Sequence, residues 1–324
     1  MLSNKIFHVA SPDEFKRIAL EVFTYQYRHN PLYKKFVNYL KVDPNLVQQL
    51  DQIPFLPIQF FKSHRVISGS AEPQISFSSS GTGGATSTHY VTNLQLYVKS
   101  FREGFKYVYG NVENYTVLAL LPAYLERKGS SLVYMVNDLI TQSKRSASGF
   151  YLNDLDALAA VLRQLDARGE KVLLIGVSFA LLDLIERYQF KLDHTIVMET
   201  GGMKGRRKEI TREELHQRLQ QGFGIKSIHS EYGMTELLSQ GYSKGLGLFT
   251  CPPWMKVLIR DPEDPLQLLP HQHTGGVNII DLANINSCAF IATQDLGKQH
   301  ENNQFEILGR FDHADIRGCN LLAN

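Results

Sequence analysis

Cysteine is scarce in this chain: Cys251, Cys288 and Cys319 are the three in 324 residues, with no Cys-x-x-Cys spacing. An odd, widely spaced set excludes a disulfide framework and fits free thiols in a reducing cytoplasm. No apolar run approaches the roughly 20 residues of a membrane-spanning helix. The opening Met1-Leu2-Ser3-Asn4-Lys5 lacks the apolar core of a signal peptide. Charge of one sign is missing too. With 34 Lys and Arg against 32 Asp and Glu, the net is +2. That argues against nucleic acid as the main partner. Internal repeats and low-complexity tails are absent.

What the chain does have is a Gly/Ser/Thr cluster set between two apolar runs. Ile75-Ser76-Phe77 leads into Ser78-Ser79-Ser80-Gly81-Thr82-Gly83-Gly84-Ala85-Thr86-Ser87-Thr88, and His89-Tyr90-Val91 follows. The order reads as strand, flexible loop, strand. Three glycines let the backbone take positive φ and approach a ligand closely. Hydroxyls and consecutive N–H groups form a concavity suited to a polyphosphate. No Gly-Lys-Ser/Thr closes the loop, so it is not a Walker A motif. The third glycine and following helix of a Rossmann fingerprint are missing as well. The alternative is plain loop punctuation.

Along the chain, Ser11-Pro12-Asp13-Glu14 is a helix start with a capping box. Phe15, Ile18, Val22 and Phe23 share one helical face, and a short helix is expected over Leu32 to Leu40. Beyond the glycine loop, strand and helix signals alternate. Helices are expected over Asn93 to Tyr107, Ser130 to Leu139 and Leu155 to Leu165, through Phe179, Leu182 and Ile185, and from the capping box Thr211-Arg212-Glu213-Glu214. Buried strands are expected at Thr116–Leu121, Lys171–Gly176, Thr195–Met198 and Ile225–Ile228. Such alternation means βαβ units and a mainly parallel sheet. After about Gly245 short strands dominate: Trp254–Ile259, Gly276–Asp281, Ala289–Thr293 and Gln304–Leu308. They read as an antiparallel sheet or small barrel beside the α/β part. The organisation is a helical lead-in (1–75) belonging to the same domain, an α/β nucleotide-binding core (76–245), a β-rich subdomain (246–309) and a truncated remnant (310–324).

Three further stretches carry chemistry-bearing residues. Ser230-Glu231-Tyr232-Gly233-Met234-Thr235-Glu236 follows a strand, where ligand loops of parallel sheets sit. Tyr232 can stack on a base, Thr235 offers a hydroxyl to phosphate, and Glu236 offers a carboxylate to Mg²⁺. A helix N-terminus with acidic residues is the alternative. In Gln294-Asp295-Leu296-Gly297 the carboxylate suits ribose hydroxyls, or marks a turn. In Leu308-Gly309-Arg310-Phe311-Asp312, Arg310 can neutralise a phosphate and Asp312 can mark a hinge; a solvated loop is the alternative. Lys204-Gly205-Arg206-Arg207-Lys208 is a basic run that would attract phosphates or an acidic carrier, or simply be solvated. His271-Gln272-His273, between Pro270 and Gly275, reads as an exposed turn and not a zinc site. Phe60, Phe61 and Tyr33 could line an acyl pocket, though core packing is their commoner use.

Taken in order, these stretches resemble the adenylate-forming superfamily of acyl-CoA ligases, adenylation domains and luciferases. Ser79-Ser80-Gly81-Thr82-Gly83-Gly84 is similar to its phosphate loop, and Tyr232-Gly233-Met234-Thr235-Glu236 to its Tyr-Gly-x-Thr-Glu motif. Asp295 matches the ribose-binding aspartate, and Gly309-Arg310-x-Asp312 the hinge motif. Within the superfamily the chain resembles the LuxE-type acyl-protein synthetases. Thr200-Gly201-Gly202-Met203-Lys204 looks like their adenine-contacting segment, and Arg317-Gly318-Cys319 lies where they carry an acyl-accepting cysteine.

The resemblance implies an adenylate-forming large-domain fold and ATP-dependent activation of a carboxylic acid, a fatty acid foremost. Transfer to a protein thiol would follow, with ATP and Mg²⁺ required. It implies Thr235, Glu236, Arg310 and Cys319 as catalytic residues and Glu236 as the Mg²⁺ ligand. Ser79, Ser80, Gly81, Thr82, Gly83, Gly84, Gly201, Gly202, Tyr232, Gly233 and Asp295 would bind the nucleotide. An acyl-accepting partner such as a reductase or carrier protein is implied as well. Cys251 and Cys288, in apolar contexts, are expected to be structural thiols. Two departures stand out. The phosphate loop ends in Thr86-Ser87-Thr88 without the superfamily's lysine, and only a dozen residues, none a lysine, follow Asp312. The mobile C-terminal lysine domain is therefore expected to be largely absent. That leaves Lys204, Arg206, Arg310 with Mg²⁺, or a partner protein to complete the site. The alternatives are a coenzyme A ligase of the phenylacetate type and a non-catalytic nucleotide- or acyl-binding module.

Overall fold

The computed structural model describes residues 2–79, 86–121, 129–152, 154–201 and 210–311. Ser80, Gly81, Thr82, Gly83, Gly84, Gly202, Lys204, Arg206, Asp312 and Cys319 lie outside the described residues.

The helical lead-in forms as its caps dictate. Ser11 Oγ accepts from Glu14 N at 3.2 Å, opening the helix Pro12–His29. Asn30 accepts from Tyr33 N at 3.0 Å and opens Pro31–Tyr39. Phe15, Ile18, Val22 and Phe23 are all buried, as their shared face requires. The lead-in is tied to the rest of the chain by polar side chains. Buried Gln26 donates to the carbonyls of Asn284 and Ile285 and accepts from Ala289 N. Leu56–Pro57 adds a short parallel strand beside Ile291 and Ala292.

Among the described residues, one 12-stranded mixed sheet runs through the molecule. Its parallel half is Gly149–Phe150, Thr116–Leu120, Val172–Val177, Thr195–Thr200 and His229–Tyr232, in that spatial order. Every residue of Thr116–Leu120 and of Val172–Val177 is buried. That is the signature of strands covered by helices on both faces, and each buried Leu or Val contributes about 1.5–3 kcal/mol. The flanking helices include Leu94–Tyr109, Ser131–Ser143, Leu155–Ala167, Ser178–Arg187 and Arg212–Phe223.

The antiparallel half continues the same sheet: Gly241–Ser243, Phe249–Thr250, Gln304–Arg310, Phe290–Gln299, Thr274–Asp281 and Met255–Arg260. The β-rich stretch is therefore an extension of the α/β sheet by backbone hydrogen bonds, with no separate barrel. A two-stranded hairpin, Ile75–Ser78 with Thr88–Val91, stands apart and carries the glycine loop between its strands.

Two strands differ from expectation. The fourth parallel strand is His229–Tyr232 rather than Ile225–Ile228. Gly224 ends the preceding helix at φ +67°, and Gln220 Nε2 and Ser227 Oγ draw the 225–227 region into side-chain bonds. Strand pairing then starts only opposite Met198. Phe290–Gln299 runs past Thr293, so Asp295 lies within a strand and not on a turn. Arg310 likewise ends a strand, directly paired with Asp295.

Candidate active site

The parallel strands Thr195–Thr200 and His229–Tyr232 end side by side, and each carries a sequence-predicted segment off its C-terminal end. The antiparallel pair Phe290–Gln299 and Gln304–Arg310 brings in Asp295 and Arg310 from the other half. Three separate motifs then meet in one chain of contacts. Tyr232 Oη donates to Asp295 Oδ2 at 2.7 Å, and Arg310 Nε lies 3.4 Å from Asp295 Oδ1. Tyr232 and Asp295 are buried, whereas the Arg310 side chain is 74% exposed. That exposure makes the guanidinium accessible to an anion.

Electrostatics at Asp295 are balanced between burial and cations. Burial raises its carboxyl above the usual range; the Tyr232 bond and the guanidiniums of Arg310, Arg260 and Arg212 pull the other way. Arg260 is anchored by Asn278 Oδ1 at 2.8 Å and Thr293 O at 2.6 Å. Arg212 donates to Ile307 O at 2.9 Å and lies over the Phe249 ring.

Glu236 is 5% exposed, and burial raises its carboxyl, opposed by a hydrogen bond from Ser87. Ser87 is the far shoulder of the glycine loop. Ser79 is the near one: its Oγ accepts from Ser87 N at 2.9 Å, and its N–H donates to Ser87 O at 3.0 Å. The neck of the loop is thus closed, and it is held against Glu236.

The backbone beneath Thr235 and Glu236 is fixed by three buried side chains that sequence reasoning missed. His89 Nδ1 donates to Thr235 O at 2.8 Å, and Asn284 Nδ2 to Glu236 O at 2.7 Å. Asp281 accepts from Leu238 N at 2.8 Å, Ser239 N at 3.0 Å and Ser239 Oγ at 2.6 Å. A carbonyl only accepts, so His89 carries its proton on Nδ1; burial pushes the imidazole down to about 4. The one available signal was Asp281 itself, a lone carboxylate directly after the apolar pair Ile279-Ile280. A charge there is found buried only with partners.

Gly201 takes φ +66°, a left-handed conformation that favours glycine, and its carbonyl accepts from Ser178 Oγ at 2.9 Å. At Gly233 a Cβ would stand 2.4 Å from Glu231 Oε1, so a larger residue in the Tyr-Gly pair would have to displace the Glu231 carboxyl. Of the expected catalytic and nucleotide-binding residues, the structure brings Ser79, Gly201, Tyr232, Gly233, Thr235, Glu236, Asp295 and Arg310 to this end of the sheet.

The other thiols are unsuited to attack. Cys288 is buried, and burial pushes its thiol up to about 12; Cys251 is half-buried and is also raised. Phe61 and Tyr33 are core residues, and Tyr33 Oη donates to Pro54 O at 2.6 Å. Among the described residues no group of three or more His, Cys, Asp and Glu is placed to hold a metal ion. Mg²⁺ with a polyphosphate needs only one or two carboxylates. Glu236, a buried carboxylate that accepts from Ser87 and feels the Arg310 charge, fits that demand. Among the described residues no helix is long and apolar enough to cross a membrane.

The family profile described as "Acyl-protein synthetase, LuxE" matches residues 10–324. The long-chain-fatty-acid–luciferin-component ligase of Vibrio harveyi is 24% identical over 327 residues, covering 94% of this chain and 86% of that protein. Its Photorhabdus luminescens counterpart is 36% identical over 73 residues, 22% of this chain and 62% of that one. Among solved structures, a 2-hydroxyisobutyryl-CoA ligase with bound acyl-AMP and coenzyme A superimposes with a TM-score of 0.66 at 12% identity, covering 94% and 72% of the two chains. ATP-bound MatB from Rhodopseudomonas palustris gives 0.56 at 19% identity, covering 75% of this chain and 49% of that one. The chain thus spans about half the length of the MatB structures it matches.

Proposed function

The chain belongs to the acyl-protein synthetase family LuxE, and on that premise we propose that it activates a long-chain fatty acid with ATP and passes the acyl group to a protein thiol. The observation that carries the reading is the convergence on Asp295. Tyr232 at 2.7 Å and Arg310 at 3.4 Å join three motifs that are far apart in the sequence.

In the first half-reaction a carboxylate oxygen of the acid attacks the α-phosphorus of ATP. The bond to the bridging oxygen breaks, pyrophosphate leaves with the electron pair, and an acyl-adenylate remains. Negative charge grows on the equatorial oxygens, and groups already aimed at them lower the barrier most. Thr235 offers a hydroxyl on a backbone that His89 and Asn284 hold in place. Arg310 offers exposed N–H groups. The backbone of Ser79, Ser80, Gly81, Thr82, Gly83 and Gly84 would cradle the phosphates, with Gly201 and Gly202 against the adenine and Asp295 on the ribose. Mg²⁺, held by Glu236 and the phosphates, would neutralise phosphate charge.

In the second half-reaction the thiolate of Cys319 attacks the acyl carbon. The carbon–oxygen bond to AMP breaks, and a thioester forms as AMP leaves. Arg310 and Arg317 are the neighbouring cations in sequence that favour the thiolate. An acyl-accepting partner protein, a reductase or carrier, would then take the group onward. The experiment that tests the reading is fatty-acid-dependent exchange of pyrophosphate into ATP by the purified protein.

A further inference from the structure

Two carboxylates with no part in the chemistry above, Glu199 and Glu231, are buried on neighbouring parallel strands behind the site. In the strand register Thr200 stands opposite Glu231. Thr200 Oγ1 donates to Glu231 Oε2 at 2.5 Å. The other carboxyl oxygen, Oε1, closes over Gly233 so tightly that a Cβ there would be 2.4 Å away. One carboxyl group therefore touches both segments that leave these strands: Thr200-Gly201 on one side and Tyr232-Gly233 on the other.

The surroundings make this a costly residue to keep. Glu199 on the adjacent strand is like-charged, and Tyr97 and Tyr242 also feel the Glu231 charge. Glu199 has its own partners: Ser178 Oγ at 3.3 Å, His216 Nε2 at 3.5 Å and Arg212 Nε at 3.8 Å. Among the described residues, Glu231 hydrogen-bonds Thr200 and stands against Gly233. A carboxyl buried with few partners is disfavoured relative to an apolar side chain of the same size. Its position between the two segments is what it supplies in return.

We infer that Glu231 is a positioning residue for the nucleotide, coupling the Thr200–Gly201 segment to the Tyr232–Glu236 segment so that both ends of one ATP are met in a fixed relation. The inference rests on the adenylation reading. It differs from that reading in naming a residue that touches no substrate and acts through Thr200 and Gly233.

The test is a double-mutant cycle on the dissociation constant of MgATP, measured by titration calorimetry on Thr200→Val, Glu231→Ala, the double variant and Glu231→Gln. Loss of the hydrogen bond between Thr200 and the Glu231 carboxyl predicts that each single truncation weakens MgATP by about tenfold. The double variant should be no weaker than the weaker single, because both remove the same link. Glu231→Gln, whose amide oxygen still accepts from Thr200, should stay within about threefold of the parent protein. In pyrophosphate exchange the KM for ATP should rise while kcat holds, since uniform binding is what is lost. Additive losses in the double variant, or singles that lower the melting temperature yet bind MgATP as the parent does, overturn the inference and leave the adenylation reading intact. A folded parent protein that binds no MgATP overturns both.

Discussion

The Tyr232 hydroxyl donates to Asp295 Oδ2 across 63 residues of chain, and both groups are buried. The bond does two things. It satisfies a desolvated carboxylate, and it fixes the oxygen that the ribose hydroxyls would meet. Burial alone raises Asp295, and Tyr232 helps to hold it charged.

Tyr232→Phe removes that donor and keeps the ring, which packs edge-on to Phe249 and Phe305. A buried acceptor left unpaired costs about 1–3 kcal/mol. The variant should lose that much stability in urea unfolding. It should also raise the KM for ATP by about tenfold, the equivalent of 1.4 kcal/mol. Unchanged KM together with unchanged stability would mean that Asp295 does not depend on Tyr232.

Glu231 predicts a pH dependence of a particular sign. Burial and Glu199 push its folded-state pKa from 4.5 up to about 7. Between those values the folded protein holds a proton that the unfolded chain has released. Stability therefore falls as pH rises through that window, by up to about 3 kcal/mol. Glu231→Gln removes the titration. Its unfolding free energy relative to the parent protein should climb from pH 5 to pH 8, and a difference that stays flat would contradict the assignment.

Cys319 predicts selective labelling. Incubation with MgATP and an isotopically labelled long-chain fatty acid should place acyl mass on the peptide that carries Cys319, and Cys319→Ser should abolish it. Cys251→Ser and Cys288→Ser should still be labelled, since burial holds both thiols protonated. Acyl mass on the peptide of Cys251 or Cys288 in the parent protein, or full transfer by Cys319→Ser to free coenzyme A with no protein label, would contradict Cys319 as the acceptor.

Much of this was legible from local patterns. Caps at Ser11 and Thr211 mark helices that form where expected. The apolar runs at Thr116 and Val172 become central strands because covered parallel strands need no polar face. The order of Ser79, Tyr232, Asp295 and Arg310 along the chain was readable, and the family profile agrees with the resemblance it suggested. What was not legible is what distant residues do for one another. His89 looked like part of a strand, Asn284 carried no signal, and Glu231 looked like a motif's prefix. Their roles appear only when the sheet sets His89 against Thr235 and Glu231 against Thr200. The continuity of the sheet through Gly241–Ser243 and Phe249–Thr250 was hidden for the same reason. Strands of two or three residues carry almost no periodicity of their own.

The measurement that tests the central claim most directly is incorporation of labelled pyrophosphate into ATP by the purified chain with Mg²⁺, with and without a long-chain fatty acid. The account predicts exchange that requires the acid and is lost in Asp295→Ala and Glu236→Gln. A folded protein that binds MgATP but shows no exchange with long-chain, short-chain or aromatic acids would contradict it.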